Sequence, residues 1–235
     1  MRKIERLPRV VILYGPPGSG KNTQAELLVK RFSAFTILDY GSELRSFVAE
    51  NKEKSSHDID FVHKIEQQIN KGEVLSAEDL MTIVSTKLFK ILDSGKSIFL
   101  IGPGRVQEEA RLLAQYLGNH EIHSCVLHLH LSLDDILERL SHRYFVTGSD
   151  IPYASYQEAK NNAPKNTEPY QRADDSNTDK IINRYRSQYK NKFSSILFTF
   201  QLHASSHVFL IDASQSIEKV HSDVLQILEC YYQTS

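Results

Sequence analysis

Five short apolar runs along the chain restrict it to a small set of folds. They lie at Val10–Tyr14, Phe35–Asp39, Ser97–Ile101, Cys125–Leu131 and His207–Asp212. Each run is continuously aliphatic or β-branched rather than alternating with polar residues, which is typical of strands covered on both faces. Helical patterns separate the runs, so right-handed strand–helix–strand crossovers are expected. The pattern predicts a three-layer α/β domain built on a five-stranded parallel sheet.

Capping signals and periodicity indicate where several of the helices lie. Ser76 and Ser132 are each followed three residues later by an aspartate, the spacing of a capping box. From Lys180 onward an apolar residue recurs every four positions, which predicts one helix face. The recurring residues are Ile181, Tyr185, Tyr189 and Phe193.

Composition excludes several classes of function. The 235 residues are 40% hydrophobic and include 28 Lys+Arg against 29 Asp+Glu, so the net charge is −1 and gives no long-range attraction to nucleic acid or to an anionic membrane. The apolar run from Val10 to Leu13 is far too short to span a bilayer, and no signal-peptide core follows it. The two cysteines, Cys125 and Cys230, provide neither a disulfide framework nor a four-cysteine zinc site. We expect a soluble, cytoplasmic enzyme with no nucleic-acid or membrane partner.

The segment Gly-Pro-Pro-Gly-Ser-Gly-Lys-Asn-Thr, from Gly15 to Thr23, directly follows the first run and directly precedes a helical pattern. Glycines at this spacing let backbone N–H groups converge on phosphate oxygens, and a lysine and the helix start add positive charge. A plain strand-to-helix turn would explain the glycines, but not a lysine at this offset followed by a hydroxyl. The segment therefore predicts a nucleotide phosphate-binding loop.

The loop from Gly15 to Ala25 closely resembles that of the adenylate kinase family of nucleoside monophosphate kinases, which are P-loop NTPases. The resemblance extends over nearly the whole chain. It implies that ATP is bound by Gly18, Ser19, Gly20, Lys21, Asn22 and Thr23 together with Arg139 and Arg143. The family normally has glycine directly after the lysine, so Asn22 is a departure from its pattern.

A second group of residues resembles the family's monophosphate site. Arg45 follows Gly41 after the second run, and Arg105 follows Gly102 after the third, as the family's phosphate-binding arginines do. The set implied for the monophosphate is Tyr40, Gly41, Arg45, Val74, Leu75, Gly102, Arg105, Glu109, Arg172 and Arg184. Tyr40 stands where the family usually has Thr or Ser, and Ser42 stands where it has Asp.

Arginines on either side of a long Asn-, Ser-, Pro- and Gly-rich loop resemble those of the family's lid. Arg139 and Arg143 lie four residues apart, on one face of a helix, and the Arg-Ala-Asp-Asp motif begins at Arg172. Arg184 lies one residue later than the family's spacing, so Arg186 or an adjusted helix start is an alternative. The implied catalytic residues are Lys21, Arg105, Arg143, Arg172 and Arg184. We expect one kinase domain over residues 1–235, with a monophosphate-binding insertion at 40–75 and a lid at 144–171.

Two departures concern magnesium and the acceptor base. Ile101 stands where the family has an aspartate that helps organise the magnesium shell, and whether Asp39 replaces that carboxylate is open. Glu109 stands where adenylate kinases have a glutamine that reads adenine. A carboxylate only accepts hydrogen bonds, so it fits an exocyclic amine of adenine or cytosine, or the donors of guanine. If Glu109 reads the base, Glu109→Gln should shift the preference toward AMP.

The resemblance implies reversible transfer of the terminal phosphoryl group of ATP–Mg to a nucleoside monophosphate, which we expect to be AMP. Mg²⁺ would arrive bound to ATP, and the absence of cysteine from the lid excludes a zinc-bearing lid. We expect the chain to act as a monomer. Two alternatives stay open: a nucleotide-binding module that has lost efficient catalysis, and a P-loop kinase for another monophosphate or small acceptor.

Overall fold

The structure, a computed structural model, describes residues 8–52, 59–71, 73–149, 152–175 and 177–233. Its strands are β1 (Val10–Tyr14), β2 (Phe35–Asp39), β3 (Ser97–Ile101), β4 (Ser124–His130) and β5 (His207–Asp212). Its helices are α1 (Lys21–Arg31), α2 (Tyr40–Asn51), α3 (Ile59–Lys71), α4 (Ala77–Asp93), α5 (Gln107–Asn119), α6 (Leu133–Ser141), α7 (Tyr156–Asn162), α8 (Thr178–Tyr185), α9 (Phe193–Ala204) and α10 (Ile217–Gln233).

The strands form one parallel sheet in the order β2-β3-β1-β4-β5. The predicted α/β fold with five parallel strands is confirmed, and only β4 differs from its predicted bounds, by one residue at each end. The central strand β1 is buried along its whole length, which agrees with its uninterrupted apolar sequence. Two groups of helices pack on the sheet: α1 contacts α10, while α5 contacts both α4 and α9.

The capping signals are confirmed at two helix starts. The hydroxyl of Ser76 accepts a hydrogen bond from the Asp79 backbone N–H at the start of α4. The hydroxyl of Ser132 does the same for Asp135 at the start of α6. Each cap satisfies one of the N–H groups that lack a partner within the helix.

The repeat that begins at Ile181 does not form one continuous helix, so that prediction is wrong. Helix α8 ends at Tyr185, a π-turn covers Arg186–Lys190, and α9 begins at Phe193. The backbone hydrogen bonds of a π-turn join residues five apart rather than four, so the turn is wider than that of an α-helix. Tyr185 and Tyr189 are both buried across this change, so inward packing is kept while the helix geometry is not.

The long Asn-, Ser-, Pro- and Gly-rich loop, from Tyr144 to Tyr170, contains a short helix and two pairs of backbone contacts. Helix α7 lies within it, Tyr144 pairs with Tyr153, and Phe145 pairs with Tyr170. These bridges join the start of the segment to Tyr153 within it and to Tyr170 at its end. The insertion at 40–75 and the lid at 144–171 stay predictions as units, and residues 53–58, 72 and 150–151 of them lie outside the described residues.

Candidate active site

The carboxyl ends of the strands meet at one edge of the sheet, where a cavity of about 860 Å³ opens. The chain places β2 and β3 on one side of β1 and β4 and β5 on the other, so the strand order reverses at β1. Parallel α/β sheets bind ligands at such switch points. The cavity lining includes residues that follow or end four strands, at Gly15, Asp39, Gly102 and Ala213.

The glycines of the loop after β1 have backbone conformations that other residues rarely adopt. Gly18 and Gly20 have φ of 79° and 84°. A Cβ atom at Gly15 would lie 2.3 Å from the carbonyl oxygen of Leu129, so a side chain is excluded there. The N-cap residue of α1 is Gly20, which has no side chain to accept a hydrogen bond from the helix start. The first turn of α1 therefore presents N–H groups to an anion.

Lys21 folds back over this loop. Its Nζ donates to the carbonyl oxygens of Gly15 at 2.9 Å and Pro16 at 2.6 Å, and to the hydroxyl of Ser19 at 3.3 Å. Burial lowers the pKa of Lys21 to about 7, and the charge of Arg105 acts in the same direction. A phosphate group in the loop would restore the charged form, because an anion close to an amine raises its pKa.

Arg139 lies between the loop and the end of β5. Its guanidinium donates to the carbonyl oxygens of Gly18 at 3.4 Å and Ala213 at 2.8 Å. Helix α6 therefore contributes a cation beside the glycine loop. The prediction that Arg143 shares a face of this helix is wrong, because α6 ends at Ser141, but Arg143 lines the same cavity from the segment that follows.

Arg143, which follows α6, and Arg184 of α8 meet at one carboxylate. Arg143 Nε donates to Asp175 Oδ2 at 3.0 Å, and Arg184 Nη1 donates to Asp175 Oδ1 at 3.1 Å. The Asp175 side chain is fully buried. Arg184 lines the cavity whereas Arg186 is exposed, so the structure favours Arg184 over the alternative.

Phe145 forms a platform between the two ends of the predicted lid. The guanidinium carbon of Arg172 lies 3.8 Å from the centre of its ring, and that of Arg143 lies 5.3 Å away. Such stacking holds a planar cation in a fixed orientation. Sequence reasoning missed Phe145, although an aromatic residue two positions after Arg143 is a signal that could have indicated it.

Arg45 and Arg105 converge where α2 begins. A Cβ atom at Gly41 would lie 3.3 Å from both Arg45 Nη1 and Arg105 Nη2, so glycine leaves room for the two guanidinium groups. Burial lowers the pKa of Arg105 from its ordinary value, partly offset by the nearby carboxylate of Asp39. Two forked cations at one point suit a phosphate group.

Glu109 does not reach the cavity, contrary to the role that the sequence suggested for it. Its side chain is fully buried, and Oε2 accepts a hydrogen bond from the Gly104 N–H at 2.6 Å. Burial raises the pKa of Glu109 to about 7, against the effect of the Gly104 hydrogen bond. Its position at the third residue of α5 turns the carboxylate back onto the loop that carries Arg105. Glu109 therefore holds this loop, and the expectation that it reads the base is corrected.

Most other predicted site residues line the cavity. They are Gly18, Ser19, Gly20, Lys21, Asn22, Thr23, Gly41, Arg45, Leu75, Gly102, Arg105, Arg139, Arg143, Arg172 and Arg184. Tyr40 and Val74 are not part of the lining; Tyr40, at the first position of α2, is fully buried. Ile101 lines the cavity with an aliphatic side chain and pairs with Asp39 in the β2–β3 register.

The lining of the cavity carries an excess of positive charge. Within the described residues, seven cations contribute to it: Lys21, Arg45, Arg105, Arg139, Arg143, Arg172 and Arg184. Four carboxylates oppose them: Asp39, Glu73, Asp135 and Glu138. The whole chain has a net charge of −1, so this concentration is local. A cavity of this kind is suited to polyanions.

Comparison with known proteins agrees with this geometry. Residues 14–160 match the family described as AAA domain. A protein named adenylate kinase from Kosmotoga olearia is 30% identical over 225 residues, covering 93% of this chain and 98% of its own. Another of that name, from Orientia tsutsugamushi, is 31% identical over 231 residues, covering 96% of this chain and all of its own. This chain belongs to the adenylate kinase family.

The adenylate kinase of Trichomonas vaginalis is also similar, at 28% identity over 232 residues.

Two departures from the family pattern, Asn22 and Ser42, are adjacent in space. Both side chains donate to the carboxylate of Asp39, at 2.8 Å and 3.1 Å. The departures therefore belong to one hydrogen-bonded arrangement.

Two kinds of feature are missing from the part of the chain that the structure describes. No three or more His, Cys, Asp or Glu side chains there are grouped so that they could hold a metal ion. None of the helices in those same ranges has the length and apolar character needed to cross a bilayer.

Proposed function

We propose that this chain transfers the terminal phosphoryl group of ATP–Mg reversibly to a nucleoside monophosphate, and that the acceptor is AMP. The observation that carries the proposal is the set of seven cations around one cavity at the switch point of the sheet. Proteins of the same family that share its length are named adenylate kinase, which supports AMP as the acceptor.

Two phosphate positions follow from the arrangement of these cations. Lys21 and the amides of the glycine loop hold the β and γ phosphates of ATP, with the Thr23 hydroxyl beside the phosphates or their magnesium. Arg45 and Arg105 hold the phosphate of the acceptor. Arg143, Arg172 and Arg184 close over the transferring group, whose negative charge they stabilise. Phosphoryl transfer needs positioning and charge stabilisation rather than a covalent intermediate.

Exclusion of water is the second requirement of a kinase site, since water would otherwise accept the phosphoryl group. Arg172 directly follows the segment at 144–171, and the backbone of Phe145 near the start of this segment pairs with Tyr170 near its end. We assign this segment the role of a lid. Mg²⁺ enters as part of the ATP–Mg substrate and neutralises phosphate charge when bound.

The proposal is tested by a coupled nucleoside-diphosphate assay with ATP–Mg and AMP, GMP, CMP or UMP. We expect turnover with AMP that is lost in Lys21→Ala. Lys30→Ala is the matched control, because Lys30 is exposed near the other end of α1 and does not line the cavity. If only another monophosphate is phosphorylated, that nucleotide is the acceptor instead of AMP. Binding of ATP without any turnover would favour a nucleotide-binding module instead.

A further inference from the structure

A series of hydrogen bonds joins the glycine loop to one of the arginines assigned to the acceptor. Asn22 Nδ2 donates to Asp39 Oδ2 at 2.8 Å. The hydroxyl of Ser42 donates to the same oxygen at 3.1 Å, and Arg45 Nη2 donates to that hydroxyl at 3.0 Å. We call these four residues the Asn22–Arg45 series.

The two ends of the series lie in different parts of the cavity. Asn22 is in the first turn of α1, next to Lys21, whereas Arg45 is in α2 and reaches Gly41 together with Arg105. Asp39 sits between them at the end of β2. Asp39 therefore belongs to the sheet, while Asn22 lies in α1 and Ser42 and Arg45 lie in α2, two helices that would each hold a phosphate.

The carboxylate of Asp39 is held firmly in place. Its Oδ1 accepts from the Gly41 N–H at 2.9 Å, so it also caps α2. Burial alone would raise the pKa of Asp39, but the hydrogen bond from Asn22 and the charges of Arg105 and Arg45 lower it. The group is thus ionised at neutral pH and accepts hydrogen bonds through both oxygens.

We propose that the Asn22–Arg45 series couples the two halves of the site, so that a triphosphate bound at the start of α1 strengthens binding of the acceptor monophosphate. This inference rests on the proposed function. A bound triphosphate restrains the first turn of α1 and with it Asn22. Through Asp39 and Ser42, the side chain of Arg45 is then held in its binding orientation before the acceptor arrives.

The physical basis of the coupling is conformational entropy. Holding a long arginine side chain in one rotamer costs conformational entropy, and the cost falls on whichever ligand first imposes that rotamer. If the first ligand already fixes Arg45, the second ligand binds with less entropy loss, which is positive cooperativity without a large structural change. Asn22, Asp39 and Ser42 are thus positioning residues, because they act on the acceptor through Arg45.

The coupling is measured by titrating AMP into the protein with and without saturating AMPPNP–Mg. The coupling ratio is the Kd for AMP without AMPPNP–Mg divided by the Kd with it. If the kinase assay selects another monophosphate, that one is titrated instead. We expect the ratio to fall on the order of fivefold in Asn22→Ala and in Ser42→Ala. The double variant should lose no more than either single variant, since both changes interrupt the same series.

The matched control is Asn119→Ala, which removes an exposed asparagine side chain at the end of α5, away from the cavity lining. It should keep the wild-type ratio. Thermal unfolding of each variant checks that the fold is kept. Unchanged ratios in both Asn22→Ala and Ser42→Ala would overturn the inference while leaving the kinase activity in place. A loss in Asn22→Ala alone would also overturn it, because Asn22 would then act on the triphosphate directly.

Failure of the proposed function gives a different result. A wild-type protein that binds AMPPNP–Mg but neither binds nor phosphorylates any monophosphate has no acceptor site to couple, which overturns both proposals together. A wild-type protein that turns over a monophosphate but shows the same Kd for it with and without AMPPNP–Mg overturns only the coupling.

Discussion

Arg184 Nη1 lies 3.1 Å from Asp175 Oδ1, and both side chains are buried. The other oxygen of Asp175 accepts from Arg143, so one carboxylate fixes two of the arginines assigned to the transferring phosphoryl group. The fold thus places two positive charges close together, and the negative charge of Asp175 between them offsets their repulsion.

Removing this anion should destabilise the fold. Asp175→Ala leaves the buried guanidinium of Arg184 without its carboxylate, and breaking such a pair lowers the free energy of unfolding by about 3–5 kcal/mol. Urea unfolding measures the change. Glu168→Ala is the control, since Glu168 pairs with Lys160 on the surface and exposed pairs contribute at most about 1 kcal/mol. Equal effects of the two substitutions would contradict this account of Asp175.

Lys21 should take up a proton when a triphosphate binds. Its pKa of about 7 in the free protein leaves it mostly neutral at pH 8, and a bound polyphosphate raises the pKa. Calorimetric titration with AMPPNP–Mg at pH 8, in two buffers of different ionisation enthalpy, should therefore show uptake approaching about one proton. Lys30→Ala should behave as the wild type does. Binding heats that are independent of the buffer would show that Lys21 is already charged.

Glu109 should make stability depend on pH. Its folded pKa of about 7 lies above the ordinary value of 4.5, so the folded state holds the proton more tightly. The stability that this provides is complete below about pH 4.5 and is lost as the pH rises to about 7, by about 3 kcal/mol. Urea unfolding between pH 5 and pH 8 should show this fall in the wild type but not in Glu109→Gln.

Glu108→Gln is the matched control for this pH dependence. Glu108 is the exposed neighbour of Glu109, and its hydrogen bond to Arg111 lowers its pKa, so it stays ionised between pH 5 and pH 8. This variant should keep the wild-type slope. Because Glu109 lies outside the cavity, Glu109→Gln should also leave the preference among monophosphates unchanged. A shift toward AMP would restore the base-reading role.

Gly104 should tolerate no side chain. Its φ is 86°, and a Cβ atom would lie 2.6 Å from Ile196 Cγ2 and 3.1 Å from the Tyr14 ring. Gly95 has a similar φ of 76° with nothing within 4 Å, so Gly95→Ala isolates the backbone strain of about 1–2 kcal/mol. Gly104→Ala should add about 1–3 kcal/mol from overpacking.

The same substitution should weaken acceptor binding. Gly104 directly precedes Arg105, so a shifted loop moves the guanidinium away from Gly41 and raises the KM for the monophosphate. Urea unfolding and acceptor kinetics of both alanine variants test the two effects. If Gly104→Ala and Gly95→Ala behave alike in both measurements, the close contacts at Gly104 do not constrain the loop.

The amino-acid sequence determined the features that depend on neighbouring residues. The five strands were predictable because a buried parallel strand needs a continuous apolar run, and the glycine loop because positive φ requires glycine. The caps at Ser76 and Ser132 were predictable because each cap and its partner lie only three residues apart in the sequence. The four-residue spacing of Arg139 and Arg143 indicated one cavity, although Arg143 follows α6 rather than lying on its face.

Only the tertiary structure decided which distant side chains meet. Glu109 turns onto the Gly104 loop rather than into the cavity, a direction that the structure shows and the family resemblance did not indicate. The π-turn before α9 lies where Tyr189 is buried and hydrogen-bonded to His128, a distant contact that the four-residue repeat does not encode. Asn22 meets Asp39 seventeen residues away, and Arg143 meets Asp175 thirty-two residues away. Such contacts depend on how whole elements are oriented, which local periodicity does not encode.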